Sequence, residues 1–283
     1  MNSLIIHNWP FNLSKQFLIN GKFQHISPFD RAFQYGDGIF RTFVVENKKP
    51  RHWKYHYKKI AQDCLAIKIK PPKEKELLSD IASLFRSNKK AVGKFIISRG
   101  LSERGYKFNK DIVHNRFLIK TKMPSYPKAI FSSGVNLYVC KHRLNPSILS
   151  GVKHLNRLEN IVARQEWTSD QYADGILLDS DGNVIECISS NIFMRIGKVI
   201  YTPKISDIGI KGVTRELIIK ISSQLGFKVK EAIFSLNKLL DADEVLITNS
   251  LFGVLQVKKI KNISWKHQKS ASLFNQSLES LNT

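Results

Sequence analysis

The chain has 283 residues, enough for a well-buried core and for two domains sharing one interface. With 42% hydrophobic and 24% charged residues it has the composition of a soluble globular protein, and no stretch approaches the ~18 apolar residues of a membrane helix. The 45 Lys+Arg against 23 Asp+Glu give +22, but the lysines are scattered in short groups such as KKP, PPKEKE and NKK, so no nucleic-acid partner is expected and an anionic substrate is equally compatible.

The opening MNSLIIHNWPF lacks a basic segment followed by an apolar one, so no signal peptide is expected. FLINGKFQ reads as a hairpin turning at Asn20-Gly21. YGDGIFRTFVVENKKPRHW reads as loop, strand and polar turn. Trp53, Ile60, Cys64 and Leu65 fall on one predicted helix, and Leu77, Leu78, Ile81, Leu84 and Phe85 keep helical spacing in the next. KFIISRG and RFLIKT are strand-like, and MPSYPKAIFSSG has a linker's prolines and serines. Cys64, Cys140 and Cys187 are odd in number and form no C-x-x-C pair, which points to a reduced cytoplasmic chain without structural zinc.

Beyond the linker, VNLYVCKH is a strand and LNPSILSG a loop. NRLENIVARQEW reads as an amphipathic helix with Leu158, Ile161 and Val162 inward; Asn156 and Glu159 match a capping box at its start. Lys153 then lies on a turn just before a helix. GILLDSDGNVIE and NIFMRIGKVIYTP are hairpins around Asp181-Gly182 and Gly197. A helix is predicted from Thr214 to Leu225, FKVKEAIF alternates as a strand, and EVLITNS is a buried one. The fold class is α+β, unlike a doubly wound parallel sheet.

There is no P-loop, no dinucleotide glycine pattern and no G-x-S-x-G elbow. His52 and His56 stand at i,i+4 without the glutamate of a zinc helix, which favours two satisfied helix histidines and no metal. Four features carry more specific chemistry. Lys153 on a fixed turn suits Schiff-base formation, because burial and nearby positive charge free its amine. Glu186 closes a strand, where a buried carboxylate needs a cation. Gly212-Val213-Thr214-Arg215 opens a helix with free N–H groups and a hydroxyl for an anion. Thr248-Asn249-Ser250 adds hydroxyl and amide groups after a buried strand. Each alone also has an ordinary reading: surface lysine, surface strand residue, helix cap, loop cap.

Taken in order, KHLNRLEN, LLDSDGNVIECISSNIF, VIYTPKISDIGIKGVTREL and DADEVLITNS resemble the fold-type IV pyridoxal-phosphate enzymes. That family includes branched-chain and D-amino acid aminotransferases and a lyase acting on 4-amino-4-deoxychorismate. The similarity spans Phe17 to Val257 and includes FDRAFQYGDGIF. QYGDGIF, ISRGLSERGY and GVKHLNRLE are most similar to the lyase branch, since an aminotransferase more often shows tyrosine where Arg157 stands.

The resemblance implies a small N-terminal α/β domain (1–122), a linker (123–130) and a larger C-terminal cofactor-binding domain (131–283) with a β-barrel-like sheet core. It implies pyridoxal 5'-phosphate, a homodimer, and conversion of 4-amino-4-deoxychorismate to 4-aminobenzoate and pyruvate. The alternative is transamination of branched-chain or D-amino acids. Lys153 would hold the cofactor covalently and carry the proton; Glu186 would pair with the pyridine nitrogen. The Val213 N–H, Thr214 and Ser250 would hold the phosphate, with Asn249 beside them and Arg157 near the phosphate or phenolic oxygen. Arg99, Arg104 and Tyr106 would grip the substrate carboxylates. Lys59 stands where the family usually has a phosphate-binding arginine, so weaker cofactor retention is expected. The stretch Ala173-Asp174-Gly175, where relatives often have glutamate after the aspartate, carries no expected consequence.

Overall fold

The computed structural model describes residues 16–87 and 89–281; the opening segment read for a signal peptide lies outside them. Strands β1 (Phe17–Ile19), β2 (Gly38–Glu46), β3 (Lys49–Pro50), β4 (Lys90–Ser98) and β5 (Asn115–Thr121) form one antiparallel sheet in the order β1-β5-β4-β2-β3. Asn20 and Gly21 both have positive φ, as the turn requires. The predicted hairpin nevertheless stops at one bridge, Ile19 to Lys22, because β1 takes β5 as its partner.

Helices α1 (Arg31–Tyr35), α2 (Trp53–Ala66) and α3 (Glu74–Leu84) accompany this sheet. The buried side of α2 carries Ile60 and Cys64, and on α3 it carries Leu77, Ile81 and Leu84, packed with Phe43, Phe95 and Leu118 of the strands. Leu65 and Leu78 are exposed. Less ordinary is the polar content of α2's buried side, which also takes in His56, Lys59 and Asp63.

After α4 (Ala129–Ser133) comes the larger sheet. Its members are β6 (Val135–Leu144), β7 (Tyr172–Asp179), β8 (Val184–Cys187), β9 (Asn191–Ile196), β10 (Val199–Pro203), β11 (Lys228–Ala232), β12 (Glu244–Asn249), β13 (Gly253–Ile260) and β14 (Ile263–Ser264). The path runs β11-β10-β9-β12-β13-β6-β7-β8, with β14 paired to β13, and the sheet curls into a half-barrel. It is mixed: β10–β11, β13–β6 and β6–β7 are parallel, the other pairs antiparallel. Met194, Val245, Ile247 and Val257 fill one side. On the other, α6 (Val213–Ile221) lays Leu217, Ile218 and Ile221 against Leu246, Val254 and Phe274 of α8 (Ser270–Ser280). Truncating a residue such as Leu217, wholly buried, costs about 2–5 kcal/mol. The remaining helices are α5 (Leu158–Arg164) and α7 (Leu236–Leu240), both short.

The two sheets meet along β2. Phe40 N donates to Lys153 O at 2.9 Å, Leu155 N donates to Gly38 O at 3.0 Å, and Ile39 bridges His154. The predicted capping box does not form: α5 begins at Leu158 after Arg157, with no side-chain cap. Asn156 instead turns back toward α1, where its Nδ2 donates to Gly36 O at 3.4 Å. Gly36 is favoured there by its left-handed φ of 62°, and a Cβ would lie 2.3 Å from Asn156 Oδ1, forcing that side chain to shift. Leu158, Ile161 and Val162, expected inward, are exposed at 70%, 55% and 46%; Ala163 is buried in their place.

Candidate active site

The seam between the sheets opens into a cavity of about 330 Å³. β2 brings Phe40, Arg41 and Thr42 to its wall, and α2 brings His56. Lys153 enters from the turn that the β2 backbone holds. Its Nζ sits 4.6 Å from the centroid of the Phe40 ring. Removal from bulk water lowers its amine to about 8; the Arg41 charge pushes the same way and Glu186 opposes it.

Glu186 lies on β8, one residue before its end at Cys187, and is buried. Its Oε2 accepts from Ile210 N at 2.9 Å and from Asn191 Nδ2 at 3.4 Å. Among the described residues no cation forms an ion pair with it. Burial raises its carboxyl to about 7, against the Ile210 amide and the charges of Lys153 and Arg157. The wall beyond Glu186 is shaped by Asp174 of β7, whose buried carboxylate accepts from the hydroxyls of Ser189 and Ser190, each at 2.8 Å. Both serines line the cavity.

The nine-residue helix α6 points its N-terminus at the same space. Gly212, its N-cap, contributes no side-chain cap, so the first-turn amides beginning at Val213 remain donors for an anion. Thr214, Asn249 and Ser250 stand beside them. Arg157 completes the wall, its guanidinium donating to His154 O at 3.1 Å and Val152 O at 3.3 Å.

The chain is similar to aminodeoxychorismate lyases and, at lower identity over a similar length, to branched-chain-amino-acid and D-alanine aminotransferases. A family model for amino-transferase class IV matches residues 38–260. The chain belongs to that family. It is 33% identical to the aminodeoxychorismate lyase of Vibrio harveyi, over 86% of this chain and 91% of that one. It is 30% identical to the aminodeoxychorismate lyase of Bacillus subtilis, over 88% of each chain. A solved 4-amino-4-deoxychorismate lyase from Pseudomonas aeruginosa superimposes with a TM-score of 0.87 at 30% identity, covering 93% of this chain and 98% of that chain.

Of the residues singled out in the sequence of this class IV chain, Lys153, Arg157, Glu186, Val213, Thr214, Asn249 and Ser250 line one cavity. Four others do not. Lys59 turns away to Glu216, its Nζ 2.8 Å from Oε2. Arg99 is consumed by Asp37, donating from Nε at 2.7 Å and from Nη2 at 2.9 Å, and it also donates to the carbonyls of Ile67 and Lys68. No free fork is left for a carboxylate. Tyr106 is 86% exposed and Arg104 is exposed, both off the cavity wall. His56, expected to be satisfied, keeps a buried Nδ1 without a partner.

Sequence reasoning missed Arg41, Asp63, Asp174 and Asn191. Arg41 had a signal: a charged residue in the middle of GIFRTFVVE, a strand otherwise made to be buried. Asp63 had the same signal in α2, one position before Cys64.

Proposed function

We propose that the chain is a pyridoxal 5'-phosphate-dependent aminodeoxychorismate lyase, releasing 4-aminobenzoate and pyruvate. The observation that carries the reading is the cavity shared by a lysine of lowered basicity, a buried carboxylate without an ion-pair partner, and an open helix N-terminus. The higher identity to lyases of Vibrio harveyi and Bacillus subtilis than to the aminotransferases matched over a similar length supports this branch of the family over transamination.

The residues fit the cofactor. A buried carboxylate lacking a cation matches a protonated ring nitrogen, which Glu186 would hold. The first-turn amides of α6 with Thr214 and Ser250 match a phosphate. Arg215 Nε and His56 Nδ1, buried at the same cavity without partners, add positive and donor character to that end. Once bound, the cofactor supplies an electron sink for the carbon attached to the substrate nitrogen.

Lys153 does the proton work. Its amine, lowered to about 8, is free in a useful fraction near neutrality and takes the proton from the ring carbon bearing nitrogen. The C–H electron pair becomes a ring double bond, and the neighbouring C–O bond breaks. Enolpyruvate leaves with the oxygen and is protonated to pyruvate, while the ring becomes aromatic. The Phe40 face beneath Nζ and the β2 backbone bonds hold the lysine on one side of the cavity.

We further propose a homodimer. Phe33 of α1 and Leu158 of α5 are exposed at 74% and 70%, on elements already joined through Asn156 and Gly36. A second copy of this apolar surface is the occupant that would cover it. The three cysteines are all free and buried, which supports a reducing, cytoplasmic setting. Among the described residues no helix is long and apolar enough to cross a membrane.

Incubating the purified chain with 4-amino-4-deoxychorismate and following 4-aminobenzoate and pyruvate tests the activity. Equal amounts of both products are expected. Amino-group exchange between an amino acid and 2-oxoglutarate, without 4-aminobenzoate, would establish transamination instead.

A further inference from the structure

Arg41 and Asp63 form a buried ion pair directly behind the lysine, one on β2 and the other on α2. The bond runs from Arg41 Nη2 to Asp63 Oδ2, and that same oxygen accepts from the backbone N–H of Lys153 at 3.3 Å. One carboxylate oxygen therefore joins a guanidinium to the peptide that carries the reactive amine. Arg41 also lines the cavity, and its Nε has no hydrogen-bond partner. A pair chosen for stability alone has no reason to be ionic here, since apolar residues of similar size replace buried ion pairs at little or no cost.

We propose that Arg41 and Asp63 are positioning residues for Lys153: Asp63 anchors the lysine's backbone and Arg41 sets the positive field beneath its amine. This rests on the assignment of Lys153 as the reacting group. The charges facing that amine are Arg41, Arg157, Glu186 and Asp63, with His154 and His56 near it. Burial lowers both histidines, to about 4 and about 3, so each is neutral around pH 7. Of the charged neighbours, Arg41 acts most strongly, disfavouring the ammonium; Asp63 works in the opposite sense and more weakly. Together they free the amine while fixing where it stands.

The test is the pH dependence of Lys153 acetylation by limiting acetic anhydride in the cofactor-free full chain, read at residue 153 by peptide mass spectrometry. In Arg41→Gln/Asp63→Asn the amide oxygen can still accept from Lys153 N, but both charges are gone. The labelling midpoint should rise by about one pH unit, a roughly tenfold loss of free amine at neutrality. Arg41→Lys should keep the native midpoint. If the polar double variant does not fold, Arg41→Met/Asp63→Leu replaces the pair with apolar side chains and carries the same expectation. A native midpoint in whichever double variant folds overturns the proposal. The underlying assignment fails separately: Lys153→Ala that still gains the visible absorption band of bound pyridoxal phosphate would remove the lysine's role, whatever the labelling shows.

Discussion

Lys59 Nζ lies 2.8 Å from Glu216 Oε2, so α2 is tied to the first turn of α6 by an ion pair behind the anion-binding end of the cavity. Lys58 adds a longer contact to the same carboxylate at 3.4 Å. Lys59 therefore braces the helix that carries the proposed phosphate donors, and it does so without entering the cavity.

The first prediction follows from that placement. Lys59→Arg should leave the pyridoxal-phosphate dissociation constant within about twofold, because the side chain does not contact the cofactor site. Tightening by tenfold or more in an equilibrium titration would put residue 59 in the phosphate site after all. Lys59→Met should cost about 1 kcal/mol at neutral pH, as expected of a pair whose carboxylate remains partly in solvent. Burial raises the Glu216 carboxyl, but Lys59 and Lys58 hold it below the usual 4.5. A lowered folded value means stability that is present above 4.5 and lost as pH falls through the folded value. The gap between wild type and Lys59→Met should close over that acid range in urea titrations.

Glu186 gives a prediction of opposite sign. Its folded value of about 7 lies above its usual 4.5, so the cofactor-free chain loses stability as pH rises from 4.5 through 7. Glu186→Gln should abolish that loss and make the cofactor-free chain more stable at pH 8 by on the order of 1–3 kcal/mol. The same variant should lower kcat by roughly 100-fold or more, having lost the charge proposed to hold the ring nitrogen protonated. Unchanged pH dependence of unfolding would show that Glu186 is not the strained carboxylate.

The exposed apolar surface supplies the third. Phe33→Glu and Leu158→Glu should each shift the chain from dimer to monomer at micromolar concentration in sedimentation velocity, with little effect on folding because both positions are exposed. A dimer that survives both changes would place the contact elsewhere.

Much of the architecture was legible because period-2 and period-3.6 patterns report burial directly. The hairpins at Asp181-Gly182 and Gly197, and the helix after Gly212, were readable for this reason. Leu158, Ile161 and Val162 were misassigned by the same rule: periodicity says that a face is apolar, and says nothing of what covers it. Lys153 and Glu186 were singled out by motif order, and the fold sets both on one cavity. The engagement of Arg99 was not legible, because one residue's partner depends on the fold; Asp37, sixty-two positions away, takes its fork. Arg41 and Asp63 show the converse, since a charge inside an apolar pattern is visible in sequence while its partner is not.

The backbone bonds from β2 to residues 153 and 155 have a mechanical meaning. Lys153 is stitched into the seam itself, so the two sheets cannot separate there without displacing the Lys153 amine by the same movement. A neighbouring cavity of about 480 Å³, bounded by Met123, Pro124 and Tyr126, shares Thr214 and Ser250 with the site and lies on the connection between the sheets. The linker side therefore gives the cavity a flank that does not run past the backbone bonds from β2 to residues 153 and 155.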